Sequence, residues 1–216
     1  MKNNLFYFIQ LNHSFGLAIF ALNVLFLIEL NASAIPESAL VPLKTEMDSL
    51  LNTKKSSTSK RRIYKNVIRK SQALIKSSPK AVNRFAVHGL ILKAQNGLLR
   101  MDNFKRNQEA FYETCEALME STDAYVGLRL NAEFLLSERD LTAKDADASE
   151  RIMALIKIVK GYRGTDAELK SLISAISRTP RLNALELREE LIKSVAQRFS
   201  SDPVAIAFLR KLSGSS

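Results

Sequence analysis

Apolar side chains recur at intervals of three and four residues along almost the whole chain after residue 35, and no sustained alternation of period two occurs. That spacing lays a stripe along one side of a helix, whereas on a strand it would scatter side chains over both faces. The expected fold class is therefore all-α. Ile152, Leu155, Ile156 and Val159 form one stripe, Leu169, Leu172, Ile173 and Ile176 a second, and Leu185, Ile192, Val195 and Phe199 a third. Ala124, Leu128, Ala132 and Leu135 form a fourth, with small residues that permit close helix contact.

Boundary residues agree with these stripes. Ser78-Pro79, Thr179-Pro180 and Asp202-Pro203 each pair an N-cap candidate with a proline whose missing N–H costs nothing in the first helical turn. Thr165 and Glu168 have capping-box spacing, and Gly161 is a candidate for a left-handed helix end. Helices are expected near 36–52, 60–76, 79–96, 101–120, 123–140, 146–160, 166–177, 181–199 and 203–212. The Lys-, Ser- and Thr-rich stretch Lys54 to Ser59 reads as a flexible link. Short connections between helices of this length suggest antiparallel hairpins, in a degenerate tetratricopeptide-like array or an irregular helical bundle. Ala110 and Ala117 have the separation of two small positions in such a repeat, but Gly97 is one residue out of register.

The N-terminus supplies an address. Lys2 precedes an apolar run from Phe15 to Ile28, and Ala32 and Ala34 stand at the small positions of a signal-peptidase site, so the mature chain is expected to begin at Ile35. The competing reading is a retained membrane anchor over residues 5–30, because no charge occurs from Asn3 to Ile28. Polar Gln10, Asn12, His13 and Ser14 shorten the continuous run toward signal length. The organisation read from the chain is 1–34 signal peptide or anchor, 35–59 short helix and linker, 60–212 helical domain and 213–216 polar tail. The expected location is periplasmic or extracellular. Removal of residues 1–34 leaves 182 residues, enough for one domain with a sizeable core.

Charge is unevenly distributed. Between Lys54 and Arg106 there are fifteen Lys or Arg and one acid, Asp102; from Asn107 to Ser216 there are fifteen basic and seventeen acidic residues. The candidate partner-binding set is Lys60, Arg61, Arg62, Lys65, Arg69, Lys70, Lys76, Lys80 and Arg84. Export and the lack of interleaved stacking aromatics weaken nucleic acid as the partner, leaving an acidic protein face or an anionic envelope surface. A solvated, solubilising helix face is the plain alternative.

Few residues offer chemistry. Cys115 is the only cysteine and lies between Phe111 and Leu118 at helical spacing, which suits core packing. His88 is the only histidine beyond the N-terminal segment, too few for a histidine metal site or a Ser-His-Asp arrangement. Glu133, Glu138, Asp140 and Asp145 form an acidic group that nearby Arg129 and Arg139 explain as ion pairs. No phosphate-binding loop, dinucleotide fingerprint or nucleophile elbow is found. The expectation is a non-enzyme, with no catalytic, cofactor-binding or metal residues and no cofactor.

The stretch Asn131-Ala-Glu-Phe-Leu-Leu-Ser-Glu-Arg-Asp-Leu141 with Lys144-Asp145, and the ending Arg198-Phe199-Ser-Ser-Asp202-Pro203 with Ala207-Phe208-Leu209, resemble the helical N-terminal region of some exported bacterial thioredoxin-like proteins. The resemblance covers roughly Ala124 to Leu212. In that family the region precedes a thiol-disulfide oxidoreductase domain. This chain departs from it in having no Cys-x-x-Cys and no βαβ pattern, so no catalytic residue carries over. The resemblance implies either a stand-alone relative or a region whose redox domain is lost or separately encoded. The expected function is an exported, non-catalytic helical module that binds a protein partner, with an accessory role beside a separate thioredoxin-like domain as the alternative.

Overall fold

The computed structural model describes residues 33–51 and 55–214. Residues 1–32, which hold the expected signal or anchor, lie outside the described residues, as do Lys54 of the expected link and Ser215 and Ser216 of the tail. The described chain is all-helical. Its α-helices are α1 Glu37–Asp48, α2 Ser57–Ser77, α3 Arg84–Leu99, α4 Lys105–Met119, α5 Val126–Ala143, α6 Ala148–Gly161, α7 Glu168–Ile176, α8 Leu185–Arg198 and α9 Pro203–Ser213. Short 3₁₀ turns occupy Ser49–Leu51, Asp123–Tyr125 and Thr179–Leu182.

From α2 onward each helix packs chiefly on those before and after it, while α1 lies on α2 and α3. A helix between two neighbours must be apolar on two sides. On α3, Val87 and Ala94 face the layers built from Ile35, Leu40, Met47 and Val67. Two residues away on the same helix, Phe85 and Leu92 join Phe111, Cys115, Leu118 and Ala132. The same split occurs on α5. Ala132 belongs to that middle cluster, and Val126, Leu130 and Phe134 join Leu155, Ile158 and Tyr162 on the other side. A further cluster of Leu172, Ile176, Leu191, Val195 and Ala205 binds α7, α8 and α9. Fully burying each such leucine or isoleucine contributes about 1.5–3 kcal/mol.

Several boundaries differ from the expected ones, each for a visible reason. The helix expected from residue 79 begins at Arg84, because 79–83 form turns and Asn83 is occupied elsewhere: its Oδ1 accepts the Ile35 N–H at 2.8 Å and its Nδ2 donates to the Ile35 carbonyl at 2.9 Å. The link ends early, since Ser56 caps α2 by accepting the Ser59 N–H and residues 57–59 are helical. Pro180 lies in a 3₁₀ turn, and Asn183 at φ +51° separates that turn from α8, which starts at Leu185. The left-handed glycine is Gly164, at φ +79°, and not Gly161. Thr165 does not complete a capping box, because Glu168 bonds the Gly164 N–H and Thr165 bonds Ala167. The box is instead at Asp147 and Glu150 at the start of α6. Asp202 caps α9 as expected, accepting the Val204 and Ala205 N–H groups, and the helix runs through Ser213, one residue into the expected polar tail.

Gly97 has a steric reason that its repeat register had not suggested. A Cβ there would stand 2.3 Å from the Tyr64 ring, so the glycine is what lets α2 and α3 approach with that ring between them.

Candidate functional site

Helix α2 carries seven of the nine candidate cations, and helical geometry sorts them. Arg62, Lys65, Arg69 and Lys76, with Gln72 among them, recur at three and four residues and share one face. Among the described residues Arg62, Lys65 and Lys76 have no ion pair, and Arg69 donates to Asn66 Oδ1 at 3.2 Å. The other members stand apart from this stripe. Arg61 is held by Asp102 through two hydrogen bonds of 2.7 and 2.9 Å, pinning the start of α2 to the turn after α3. Lys70 reaches Glu46 of α1 at 3.6 Å. Arg84 stacks 4.2 Å from the centroid of Phe85. Lys60 is half-buried at the start of α2, and Lys80 lies exposed in the turn beyond it.

Lys65 and Arg69 crown a ridge with a hollow on each side. Toward α1, a hollow of about 490 Å³ is lined by Glu46, Ser59, Arg62, Lys65, Asn66 and Arg69. Toward α4, a groove of about 380 Å³ has α3 as its floor, with Lys65, Arg69 and Gln72 on one wall and Arg106, Asn107 and Ala110 on the other. Gln72 also lines the continuation of this groove, where Lys76, His88, Glu113 and Thr114 meet.

The floor carries polar atoms in unusual circumstances. Gln95 is only 4% exposed; its Nε2 donates to the Ala110 carbonyl at 2.9 Å, and its buried Oε1 has no partner. Leaving such an acceptor unbonded costs about 1–3 kcal/mol, and its burial closes it off from anything lying in the groove. His88 Nδ1 is likewise buried and unpartnered. Burial, assisted by Arg84, holds His88 below the ordinary histidine range, with Glu120 opposing, so the ring is neutral at pH 7 and adds no charge.

Arg106 and Gln95 were absent from the candidate set. Arg106 ends the basic run in sequence, but its position opposite α2 depends on the α3–α4 turn. Gln95 looks like any polar residue on a long helix until α4 covers it. No local signal marks either role.

The remaining chemical candidates are dispersed. Cys115 is fully buried beside Phe111 and Leu118, and burial pushes its thiol up to about 12, with Arg139 opposing. Glu138 pairs with Arg151 at 3.3 Å and Asp140 with Arg139 at 2.8 Å, whereas Arg129 turns to Asp123 at 2.9 Å. Asp145 occupies a left-handed position at φ +51° after α5. Among the described residues no group of three or more His, Cys, Asp or Glu could hold a metal ion, and no helix is long and apolar enough to cross a membrane. No family model, curated protein or solved structure matches the chain.

Proposed function

We propose that this chain is an exported, non-catalytic interaction module that receives an acidic segment of a protein partner in the groove between α2 and α4. The observation that carries the reading is the lining of the groove by Lys65, Arg69 and Arg106 with no carboxylate among its lining residues. Carboxylates of an extended segment meet the cations. The field of the wider basic region steers the encounter.

The test uses a labelled short peptide of alternating glutamate and glycine, beside its glutamine counterpart. The acidic peptide should bind better and weaken as ionic strength rises from ~0.01 M to ~0.15 M, where the Debye length falls from ~30 to ~8 Å. Lys65→Glu combined with Arg106→Glu should slow association by about tenfold or more. Equal binding of both peptides, or insensitivity to salt and to these changes, overturns the reading. Preference for vesicles rich in anionic lipid over the peptide would transfer the surface to the envelope.

A second reading has the same module serving a separate thioredoxin-like domain. The resemblance over Ala124 to Leu212 supports it, as do Val204 and Ile206, large apolar residues that α9 leaves exposed. Crosslinking in the native host should then recover a thiol-disulfide oxidoreductase through α9, and recovery unchanged by Val204→Glu would remove the support.

A further inference from the structure

A second pocket lies at the other end of the molecule, between α5, α6 and the 3₁₀ turn after α7, with a volume of about 420 Å³. That is near the small end of the ~300–1,000 Å³ typical of ligand sites. Its floor is apolar, built from Phe134, Leu141, Leu155 and Leu182, and three arginines reach its lining. Arg151 is consumed by the fold: it pairs with Glu138 and donates to the carbonyls of Ala146 and Leu141 at 3.0 and 3.3 Å. Arg178 and Arg181 are different. Neither makes an ion pair among the described residues, although Arg178 is half-buried, stacks 4.3 Å from the Phe134 ring centroid and donates once, to the Ser174 carbonyl at 2.9 Å.

The turn itself puts them together. Residues three apart on a 3₁₀ turn eclipse one another, so Arg178 and Arg181 stand on one side of Thr179–Leu182. Thr179, fully buried and donating to the Ile176 carbonyl at 2.8 Å, holds the turn in place. Two like charges at the edge of one apolar pocket repel, the half-buried Arg178 is costly to desolvate, and among the described residues neither forms an ion pair with a carboxylate. Burial draws Arg178 below the ordinary arginine range, and Arg181 pushes the same way against the opposite pull of Glu138.

We infer that this pocket binds a monocarboxylate on an apolar body, with the forks of Arg178 and Arg181 on the carboxylate and the aliphatic or aromatic part against Phe134, Leu141 and Leu155. Planar guanidinium groups match a carboxylate in two parallel hydrogen bonds. The apolar floor requires an organic body, and Glu138 on the rim disfavours a multiply charged anion such as phosphate. The carboxylate belongs either to the last residue of a peptide or to a free organic acid. This site is separate from the α2–α4 groove and does not depend on its assignment.

The test is titration of the full chain with N-acetyl-leucine, N-acetyl-leucinamide and inorganic phosphate, followed by calorimetry and by the arginine Nε–Hε signals in NMR. N-acetyl-leucine should bind, shifting the signals of Arg178 and Arg181, while the amide and phosphate bind at least about tenfold more weakly. Arg181→Gln, an exposed substitution that spares the fold, should weaken the acid by a similar factor at unchanged thermal midpoint. A tripeptide ending in leucine and 4-phenylbutanoate then distinguish the two sources, the tighter naming the source. Equal binding of acid and amide, phosphate as tight as the acid, no binding at all, or affinity untouched by Arg181→Gln overturns the assignment.

Discussion

The two ends of the molecule use charge in opposite ways. From α1 to the start of α4 the only acid after Asp48 is Asp102, and most cations of α2 stay outside the fold on one face, while close packing through Gly97 joins α2 to α3. From α5 to α9 the signs are nearly balanced, and charge is drawn into the structure. Lys144 pairs with Glu150 at 3.0 Å, Arg151 with Glu138 at 3.3 Å, and Arg198 with Glu168, a carboxylate only 7% exposed that also accepts the Gly164 N–H. An imbalance of sign therefore leaves charge available to partners, whereas a balance lets neighbouring helices neutralise one another. Arg178 and Arg181 break the second pattern, which is what makes their pocket conspicuous.

The largest effect is expected where charge is deepest. Glu168→Ala should cost about 3 kcal/mol in urea unfolding, because the carboxylate holds both a backbone N–H and Arg198; a loss under about 1 kcal/mol would mean that charge is as external there as on α2. Gly97→Ala should cost about 2 kcal/mol by forcing Tyr64 away, while Gly161→Ala, with nothing within 4 Å of the added methyl, should be close to neutral. Asp102→Ala should cost about 1–2 kcal/mol, since its carboxylate takes both hydrogen bonds that pin Arg61 of α2 to the turn after α3. Lys65→Glu with Arg69→Glu should change stability by less than about 0.5 kcal/mol while altering binding, and a larger loss would place the stripe inside the fold after all.

The middle cluster offers a pH test of the same contrast. Cys115 keeps its proton in the folded chain up to about 12, against an ordinary value near 9.0. The unfolded thiol ionises first, so stability is whole below about pH 9 and declines as pH rises toward 12. Cys115→Ala should flatten that alkaline decline, and an unchanged slope would assign it to other groups.

Much of this was legible in the chain and some was not, along physical lines. Helical class, the buried setting of Cys115 and the Asp202 cap rest on interactions within a few residues, so local spacing reveals them. The start of α3 depends on Asn83 meeting Ile35, forty-eight residues away, and a Ser-Pro pair cannot announce that. The left-handed position fell at Gly164 because α6 runs through Gly161 without needing it. At the candidate groove the basic stripe was visible, but the loss of Arg61 to Asp102 and the arrival of Arg106 and Gln95 are products of how α3 and α4 fold back. Arg178 and Arg181 carried no signal beyond their charge.

The sharing of α3 and α5 between successive clusters has a kinetic side. Because most helices meet those adjacent in sequence, their contacts close short loops and the chain can gain structure without first bringing distant segments together. Opening at α9 then need not propagate, since only α8 and its neighbours lose a partner, whereas any disturbance of α5 is felt by two clusters at once. The helix that joins the basic half to the balanced one is thus the place where an event at either end can reach the other.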